Sequence, residues 1–179
     1  EIVFLSPTGS GKSTMAEGLI PYVVSEDPGP FLYASQTDSD SKFWVESRLM
    51  PALKSCPKIK QLWPKNRHKV RAAEILFPHM PFISGGANMS NFQEKSMRYL
   101  YGDEVWTWKK GMLGFFLKRH HDRWNRKVIL VSQAGYEGDD LDLEYNKTDK
   151  AEYSFKCPGC AEYVAYSRKI LKYDLIKTG

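Results

Sequence analysis

Short apolar runs alternate along the chain with longer stretches of helix-like polarity. The apolar runs predict β-strands at Ile2–Leu5, Phe31–Ala34, Glu74–Phe77, Pro81–Ser84, Arg98–Gly102 and Val128–Val131. The longer stretches predict helices at Ser13–Val24, Ser39–Leu53 and Leu113–Arg123. Strands that alternate with helices are typical of a parallel sheet with crossover helices. The pattern therefore predicts an α/β fold with a mainly parallel central sheet flanked by helices.

Several shorter segments refine this prediction. Asp38-Ser39-Asp40 supplies N-cap chemistry for the second helix. The strands on either side of Pro78-His79-Met80-Pro81 indicate a hairpin inserted in the sheet. The Pro- and Lys-rich segment Ser55–Lys69 is typical of a surface connection.

The composition changes after Gly135. Glu137–Tyr145 is acidic and is predicted to be a loop, and Glu152–Tyr166 is predicted to form short strands around a pair of cysteines. A chain of 179 residues can bury one good core, so one domain with a small appendage is expected. We expect a fragment of a longer protein, because the chain opens on Glu1 directly before a strand and ends without a closing element.

Composition and charge limit the setting of the protein. No apolar run approaches the roughly 20 residues that a membrane span needs, so no membrane association is expected. Three cysteines, two of them in one Cys-x-x-Cys, favour a reducing intracellular setting over a disulfide framework. The net charge of +5 permits a polyanionic partner, but a solvated basic surface explains it equally well. The basic residues concentrate in two stretches, Lys54–Arg71 and Lys109–Lys127.

The first motif with clear chemistry lies between the first strand and the first helix. It runs Ser6-Pro7-Thr8-Gly9-Ser10-Gly11-Lys12-Ser13-Thr14, a phosphate-binding loop in which Ser6 occupies a position where the full pattern has Gly. Backbone N–H groups of Gly9, Ser10 and Gly11 would approach the phosphates of a nucleotide closely. Lys12 would contact the β- and γ-phosphates, and the Ser13 hydroxyl would bind Mg²⁺. Thr14 would lie near the α-phosphate or cap the helix, and a flexible Gly/Ser turn is the alternative for the whole segment.

A second motif lies about 90 residues downstream, where an apolar run ends in Asp103-Glu104. Nucleotide hydrolases of this architecture carry an Asp at the end of a strand beside the phosphate loop, where it helps to hold Mg²⁺. The adjacent Glu can act as general base on the attacking water. Alone, an acidic pair is common in loops and helix caps, but its order and spacing after Lys12 predict an Mg²⁺-dependent ATPase with Glu104 and Lys12 as catalytic residues.

The strand Val128–Val131 is followed by Ser132-Gln133. Polar side chains at this position would lie near the γ-phosphate, where they could couple hydrolysis to motion. An ordinary strand followed by a turn is the alternative.

Cys157-Pro158-Gly159-Cys160 resembles one knuckle of a zinc ribbon. Zn²⁺ needs four ligands and no second pair follows, so we predict half a zinc site, with a redox Cys-x-x-Cys as the weaker alternative. Cys56 and the pair His120-His121 are not expected to be ligands, the histidines being basic surface residues. The domain organisation predicted is a P-loop ATPase domain over residues 1–150 and a partial zinc-ribbon-like segment over residues 151–179.

Aromatic side chains flank the second basic stretch. Interleaved aromatic and basic residues can support nucleic-acid binding, but near-helical spacing favours the core for Phe115, Phe116 and Trp124. The remaining candidate DNA contacts are Lys109, Lys110, Arg119 and Arg123.

Taken in order, the motifs resemble the ATPase domain of phage terminase large subunits of the lambda-like GpA type. Besides the phosphate loop, the pieces that carry the resemblance are Asp27-Pro28-Gly29-Pro30, Ser35-Gln36-Thr37, Ser84-Gly85-Gly86-Ala87-Asn88, Arg98 to Val105, Arg126 to Ser132 and Tyr153 to Cys160. The resemblance implies a P-loop NTPase fold of the additional-strand type, with Lys12, Ser13, Asp103 and Glu104 in the roles given above. Gln133 departs from the family, which usually has Ser-Thr-Pro after the coupling strand.

The resemblance also implies partners and a place of action. It implies an ATP-driven motor that packages double-stranded DNA into procapsids in the host cytoplasm, with a small terminase subunit, a portal protein and further copies of itself. Family members carry a nuclease domain after the ATPase, and we expect none in this chain, because Asp139, Asp140, Asp142 and Glu144 lie before the cysteine pair. An arginine finger is implied but not assigned among Arg67, Arg71 and Arg98.

Two alternatives stay open at this point. A helicase-like or other DNA-dependent P-loop ATPase would share the three motifs but should carry further arginine-bearing motifs downstream. A zinc-ribbon nucleic-acid-binding module on an inactive P-loop scaffold would bind DNA without hydrolysing ATP.

Overall fold

The strands and helices follow the predicted alternation closely. The computed structural model describes residues 1–93, 96–120 and 122–165. Its strands are β1 (Ile2–Leu5), β2 (Phe31–Ser35), β3 (Val70–Arg71), β4 (Glu74–Leu76), β5 (Pro81–Gly86), β6 (Tyr99–Asp103), β7 (Lys127–Ser132), β8 (Ser154–Lys156) and β9 (Tyr163–Ala165). Its α-helices are α1 (Lys12–Glu26), α2 (Asp38–Trp44), α3 (Met50–Ser55), α4 (Pro57–Leu62), α5 (Met112–Leu117) and α6 (Asp140–Tyr145).

A seven-stranded sheet organises the first 147 residues, with the strand order β1-β7-β6-β2-β5-β4-β3. The first five strands of that order are parallel, and β4 and β3 continue the sheet antiparallel to β5. This arrangement confirms the predicted α/β fold with a mainly parallel sheet and the predicted hairpin. β1 lies at an edge and pairs with β7 alone among the described strands. Because parallel strands end at one edge, the segments after β1, β2, β6 and β7 meet there.

Both faces of the sheet are covered, as a parallel sheet requires. Every residue of β2 and β6 is buried, so alternate side chains of each strand enter different cores. On one face Tyr33 and Tyr101 pack with α1 and with the helices that follow β2. On the other face Leu32 and Leu100 pack with Leu113 and Phe116 of α5. The two central strands therefore hold their carboxyl ends between two packed layers.

The predicted helix Ser39–Leu53 is divided in the structure. It consists of α2, a π-helical turn (Val45–Leu49) and α3. The N-cap is Thr37 rather than Asp38-Ser39-Asp40, since the Thr37 hydroxyl oxygen accepts from the Asp40 backbone N–H at 3.1 Å. Asp38 accepts instead from the Gly86 N–H at 2.7 Å and the Asn91 amide at 2.6 Å, which hold its carboxyl pKa below the ordinary value. These contacts tie the start of α2 to the end of β5.

Two segments predicted to be irregular contain helices. The predicted connection Ser55–Lys69 contains α4, whose Ile59 is fully buried. The predicted acidic loop Glu137–Tyr145 contains α6, which begins where Asp139 accepts from the Asp142 N–H at 2.7 Å. Asp140 and Asp142 lie in its first turn, where the helix dipole favours negative charge. The acidic composition therefore belongs to a helix N-terminus and not to a loop.

The aromatic predictions after α5 hold only in part. Phe116 is fully buried, as predicted, but Phe115 is exposed and Trp124 has an exposed fraction of 94%. α5 ends at Leu117 and is followed by a 3₁₀ turn (Lys118–His120), so helical spacing does not continue to Trp124. His120 is buried, contrary to its prediction as a surface residue, and its ring contacts the Leu117 carbonyl. His121 lies outside the described residues.

Residues 148–179 form a second unit, of which residues 148–165 are described. In this unit β8 and β9 pair antiparallel, with Phe155 opposite Val164. The short strands predicted around the cysteine pair are therefore present, while residues 166–179 of the predicted zinc-ribbon-like segment lie outside the described part. None of the described helices is long and apolar enough to cross a membrane.

A charged cluster joins α1 to the amino ends of β6 and β7. Asp27 accepts from the Tyr99 hydroxyl at 2.6 Å and lies 2.7 Å from Arg98 and 3.3 Å from Lys127. The Tyr99 hydrogen bond, with Arg98 and Lys127, lowers the pKa of Asp27 to about 2. Arg98 is thereby held at the sheet edge opposite the phosphate loop.

Replacing Asp27 with asparagine is expected to lower the free energy of unfolding by about 1 kcal/mol, since the carboxylate is partly exposed and screened. A lowered carboxyl pKa gives stability that is present above the unfolded value near 3.8 and is lost as pH falls toward about 2. Urea unfolding at pH 7 and pH 2.5 measures this directly. The difference between the wild type and Asp27→Asn should shrink at the lower pH. An equal difference at both values would contradict the assignment.

Candidate nucleotide-binding site

The loop between β1 and α1 is shaped by its glycines and by the neighbouring strand. Gly9 and Gly11 have φ angles of +80° and +84°, a left-handed conformation that favours glycine. The Ser6 N–H donates to the Ser132 carbonyl of β7 at 2.9 Å, and the Ser10 hydroxyl donates to the Pro7 carbonyl at 2.7 Å. Ser6 thus contributes backbone contacts, which accommodate serine at this position. Ser13 and Thr14 follow in the first turn of α1.

Lys12 is the charged centre of the loop. Its side chain has an exposed fraction of only 6%, and its ammonium donates to the carbonyls of Ser6 and Pro7 at 3.0 and 2.9 Å. The same ammonium lies 3.7 Å from a carboxylate oxygen of Glu104. The Tyr101 hydroxyl donates to the Lys12 carbonyl at 3.1 Å, which ties the start of α1 to β6. The structure therefore brings together the two residues predicted to be catalytic.

Asp103 ends β6 as a buried carboxylate. One oxygen accepts from the Tyr33 hydroxyl at 2.9 Å, whereas the other is buried without a hydrogen-bond partner. Burial raises the pKa of Asp103, the charge of Glu104 adds to that effect, and the Tyr33 hydrogen bond opposes it. A buried carboxylate oxygen without a partner fits a role in holding a divalent cation through its water shell.

Glu104 leaves the strand in a left-handed conformation, with φ of +49° and ψ of +45°. Such a conformation costs about 1 kcal/mol for a residue other than glycine, and it is common at functional sites. One carboxylate oxygen accepts from the Trp106 indole N–H at 2.9 Å, while 38% of the side chain stays exposed. Glu104 is thus fixed beside Lys12 and still reaches solvent.

Two clefts meet at Glu104. One has a volume of about 310 Å³ and is lined by the loop residues Thr8, Gly9, Gly11, Lys12, Ser13 and Thr14, by Glu104 and by Arg48. The other has a volume of about 320 Å³ and includes Tyr33, Asp103, Trp106 and Gln133 in its lining. Predicted site residues from three separate segments therefore lie around connected space at the carboxyl edge of the sheet.

The two residues after the coupling strand have different surroundings. Ser132 is fully buried, and its hydroxyl oxygen accepts from the Trp106 backbone N–H at 3.1 Å. Since its carbonyl accepts from Ser6, Ser132 connects the phosphate loop to the segment after Glu104. Gln133 is partly exposed and lines the second cleft.

The cysteine pair lies in the second unit. Backbone N–H groups of Cys160 and Gly159 lower the pKa of the Cys157 thiol, which favours the thiolate that metal binding requires. In the part of the chain that the structure describes, however, no group of three or more His, Cys, Asp or Glu residues is positioned to hold a metal ion. Two thiols do not fill the tetrahedral shell of Zn²⁺, so these residues do not form a complete zinc site.

Sequence reasoning missed three residues of the first unit that border the clefts. Tyr33 and Trp44 stack with ring centroids 4.2 Å apart, so the partner of Asp103 is itself fixed by an aromatic ring. Arg48 lies in the π-helical turn and was not among the arginines considered. Of those that were, Arg98 is bound to Asp27 at the opposite edge, and Arg71 lies in β3, at the far end of the sheet from β1. Only the fold reveals these neighbours, because Tyr33 and Arg48 carry no local motif.

Comparison with known proteins agrees with this geometry. A family model described as the phage terminase large subunit gpA, ATPase domain, matches residues 1–178. The chain belongs to this terminase family. Comparison with curated proteins gives no match.

Solved terminase structures share the fold. The large terminase of bacteriophage HK97 aligns with a TM-score of 0.66 at 12% identity, over 81% of this chain and 32% of that protein. The large terminase of a thermophilic bacteriophage aligns with a TM-score of 0.61 at 17% identity, over 81% and 36%. The ATPase domain of the Thermus phage P74-26 large terminase gives 0.58 at 12%, over 92% and 71%. The terminase chain described here thus spans about a third of the first two proteins.

Proposed function

We propose that this terminase ATPase domain hydrolyses ATP with Mg²⁺ and that the hydrolysis drives the packaging of double-stranded DNA into procapsids. The observation that carries the proposal is the contact between Lys12 and Glu104 above the buried Asp103. A cationic phosphate ligand, a carboxylate base and a metal-binding carboxylate are the three charged groups that P-loop hydrolysis needs. Structures of the thermophilic-phage large terminase in complex with ADP and with ATP-gamma-S support nucleotide binding by this family.

Each residue has a role in this proposal. Backbone N–H groups of Gly9, Ser10 and Gly11 hold the phosphates, and Thr14 extends the contacts toward the α-phosphate. Lys12 exchanges its carbonyl partners for β- and γ-phosphate oxygens and so places its charge where negative charge develops. Glu104 accepts a proton from the attacking water. Trp106 holds the Glu104 carboxylate through its indole N–H, so that the base is oriented before substrate arrives.

The residues present fit a magnesium ion. Mg²⁺, when bound, neutralises charge on the phosphate oxygens that it bridges. The Ser13 hydroxyl would be a direct ligand, and the free oxygen of Asp103 would hold the ion through water. Tyr33 keeps the other oxygen of Asp103 in place and favours the ionised carboxylate against the effect of burial.

Coupling of hydrolysis to movement is assigned to the end of β7. Ser132 contacts both the phosphate loop and the backbone of Trp106, two residues after Glu104. Gln133, in the second cleft, is the side chain that would sense the γ-phosphate. A displacement of β7 would therefore reach the loop and the base together.

The remaining parts of the proposal rest on the family. Packaging in the host cytoplasm would require double-stranded DNA, a small terminase subunit, a portal protein and further copies of this chain. The match over residues 1–178 favours a terminase over a helicase-like ATPase. The charged contacts around Lys12 favour an active enzyme over an inactive scaffold. Cys157 and Cys160 would provide half of a zinc site, completed by ligands outside the described residues.

The proposal predicts that ATP binding to the chain requires Mg²⁺ for full affinity. Titration of a fluorescent ATP analogue with and without EDTA measures this. Phosphate release in the presence of double-stranded DNA then measures turnover. We expect tighter binding with Mg²⁺ and faster turnover with DNA. A chain that is folded by circular dichroism but binds no ATP would overturn the proposal.

A further inference from the structure

One arginine from outside the phosphate loop lines the cleft beside it. Arg48 borders the same space as Gly11, Lys12, Ser13 and Thr14. Its guanidinium Nε lies 2.7 Å from a carboxylate oxygen of Glu17, and 48% of its side chain is exposed. A second cation, separate from Lys12, is therefore available where a polyphosphate would lie.

The π-helical turn fixes the backbone that carries Arg48. Val45 and Leu49 on this turn are fully buried in the core below the sheet face that α1 covers. Trp44, immediately before the turn, stacks on Tyr33, which in turn holds Asp103. π-helical turns occur often at functional sites, where they redirect side chains. Arg48 thus projects from a rigid part of the structure and not from a mobile loop.

Glu17 holds Arg48 next to the start of α1. It lies four residues after Ser13 and three after Thr14, so the three side chains share one face of the helix. Only 19% of the Glu17 side chain is exposed. The ion pair therefore keeps the guanidinium beside the two hydroxyl residues that follow Lys12.

We propose that Arg48 binds the phosphate groups of the nucleotide and that Glu17 holds it ready for them. This inference rests on the proposed function, because it assumes that the cleft receives a nucleoside triphosphate. The guanidinium is always charged and its planar donors match two phosphate oxygens at once, so phosphate competes well with a single carboxylate contact. Arg48 moves from Glu17 to phosphate, and Glu17 then retains a solvent-accessible position.

The test compares the two partners of the ion pair. We expect Arg48→Gln to weaken ATP binding about tenfold, the loss typical of one charge-assisted hydrogen bond. Arg48→Lys should recover only part of that loss, since an ammonium lacks the planar fork. Glu17→Gln should bind ATP at least as tightly as the wild type, because it releases Arg48. Titration of a fluorescent ATP analogue with Mg²⁺ measures all three variants.

Arg126→Gln is the matched control, since Arg126 is an exposed arginine just before the amino end of β7. It should bind ATP within about twofold of the wild type, as surface substitutions have small effects. If Arg48→Gln binds ATP as the wild type does, the inference is wrong while the proposed function stands. Equal losses for Arg48→Gln and Glu17→Gln, with matching falls in melting temperature, would show a purely structural ion pair. A folded wild type that binds no ATP would overturn both proposals.

Discussion

Lys12→Ala is expected to abolish ATP hydrolysis, with a fall in kcat of at least about 100-fold, typical of the loss of one transition-state charge contact. The reason lies in the position of the ammonium, which is almost fully buried between the loop carbonyls and Glu104. No other lysine lines this cleft among the described residues, so no neighbour replaces the charge. Phosphate release under saturating Mg²⁺ and ATP measures the effect.

The control for this substitution is Lys42→Ala, which removes an exposed lysine from α2 and should leave turnover unchanged. Circular dichroism establishes that Lys12→Ala remains folded. The substitution also leaves Glu104 without its nearby cation, so a modest change in melting temperature is expected. Turnover at the wild-type rate by a folded Lys12→Ala protein would remove Lys12 from the catalytic role.

Glu104→Gln is expected to reduce turnover by about 100-fold or more, the usual contribution of a general base, while ATP still binds. Glutamine has nearly the same shape, and its amide oxygen can still accept from the Trp106 indole. Only the capacity to take a proton is lost. The separation of binding from turnover is therefore the expected signature of this residue.

The measurement for Glu104 uses the assembled motor, because packaging motors commonly complete their sites between neighbouring subunits. Single-turnover ATP hydrolysis is compared with ATP affinity for the wild type and for Glu104→Gln. Glu152→Gln, an exposed acid of the second unit, is the matched control and should behave as the wild type. A wild-type hydrolysis rate for Glu104→Gln would show that another group activates the water.

The parallel part of the sheet could be predicted because its strands are short apolar runs with clear limits. β1 has the predicted bounds, and β2, β6 and β7 differ from theirs by one residue at an end. Lys12 and Asp103-Glu104 were recognised because each motif has a fixed place relative to a strand. Their 3.7 Å contact follows from the parallel order of β1, β7 and β6, which places both strand ends at one edge.

The predictions failed where polar composition concealed a helix. α4 contains three polar residues out of six and is held by the burial of Ile59 against the core that includes α1. In α6 the aspartates are cap and first-turn residues, which composition alone assigns to a loop. Trp124 was placed in the core by its spacing, but α5 ends seven residues before it.

The neighbours of the site could not be predicted from motifs. Tyr33 reaches Asp103 across 70 residues of sequence, and Arg48 reaches Glu17 across 31. Both contacts depend on the pairing of β2 with β6 and on the packing of the helices after β2 against α1. Such contacts are decided by tertiary packing, for which the local sequence carries no signal.

The pairing of β1 with β7 alone also sets the order in which the site can be made. Residues 2–5 are among the first to be synthesised, yet their described partners are residues 129–132. During synthesis, β2, β5 and β6 can associate earlier, since a nascent chain folds as its segments emerge. The strand that carries the phosphate loop joins the sheet only after β7 has been made. The loop-closure entropy of that step falls late, so nucleotide binding is acquired at the end of folding.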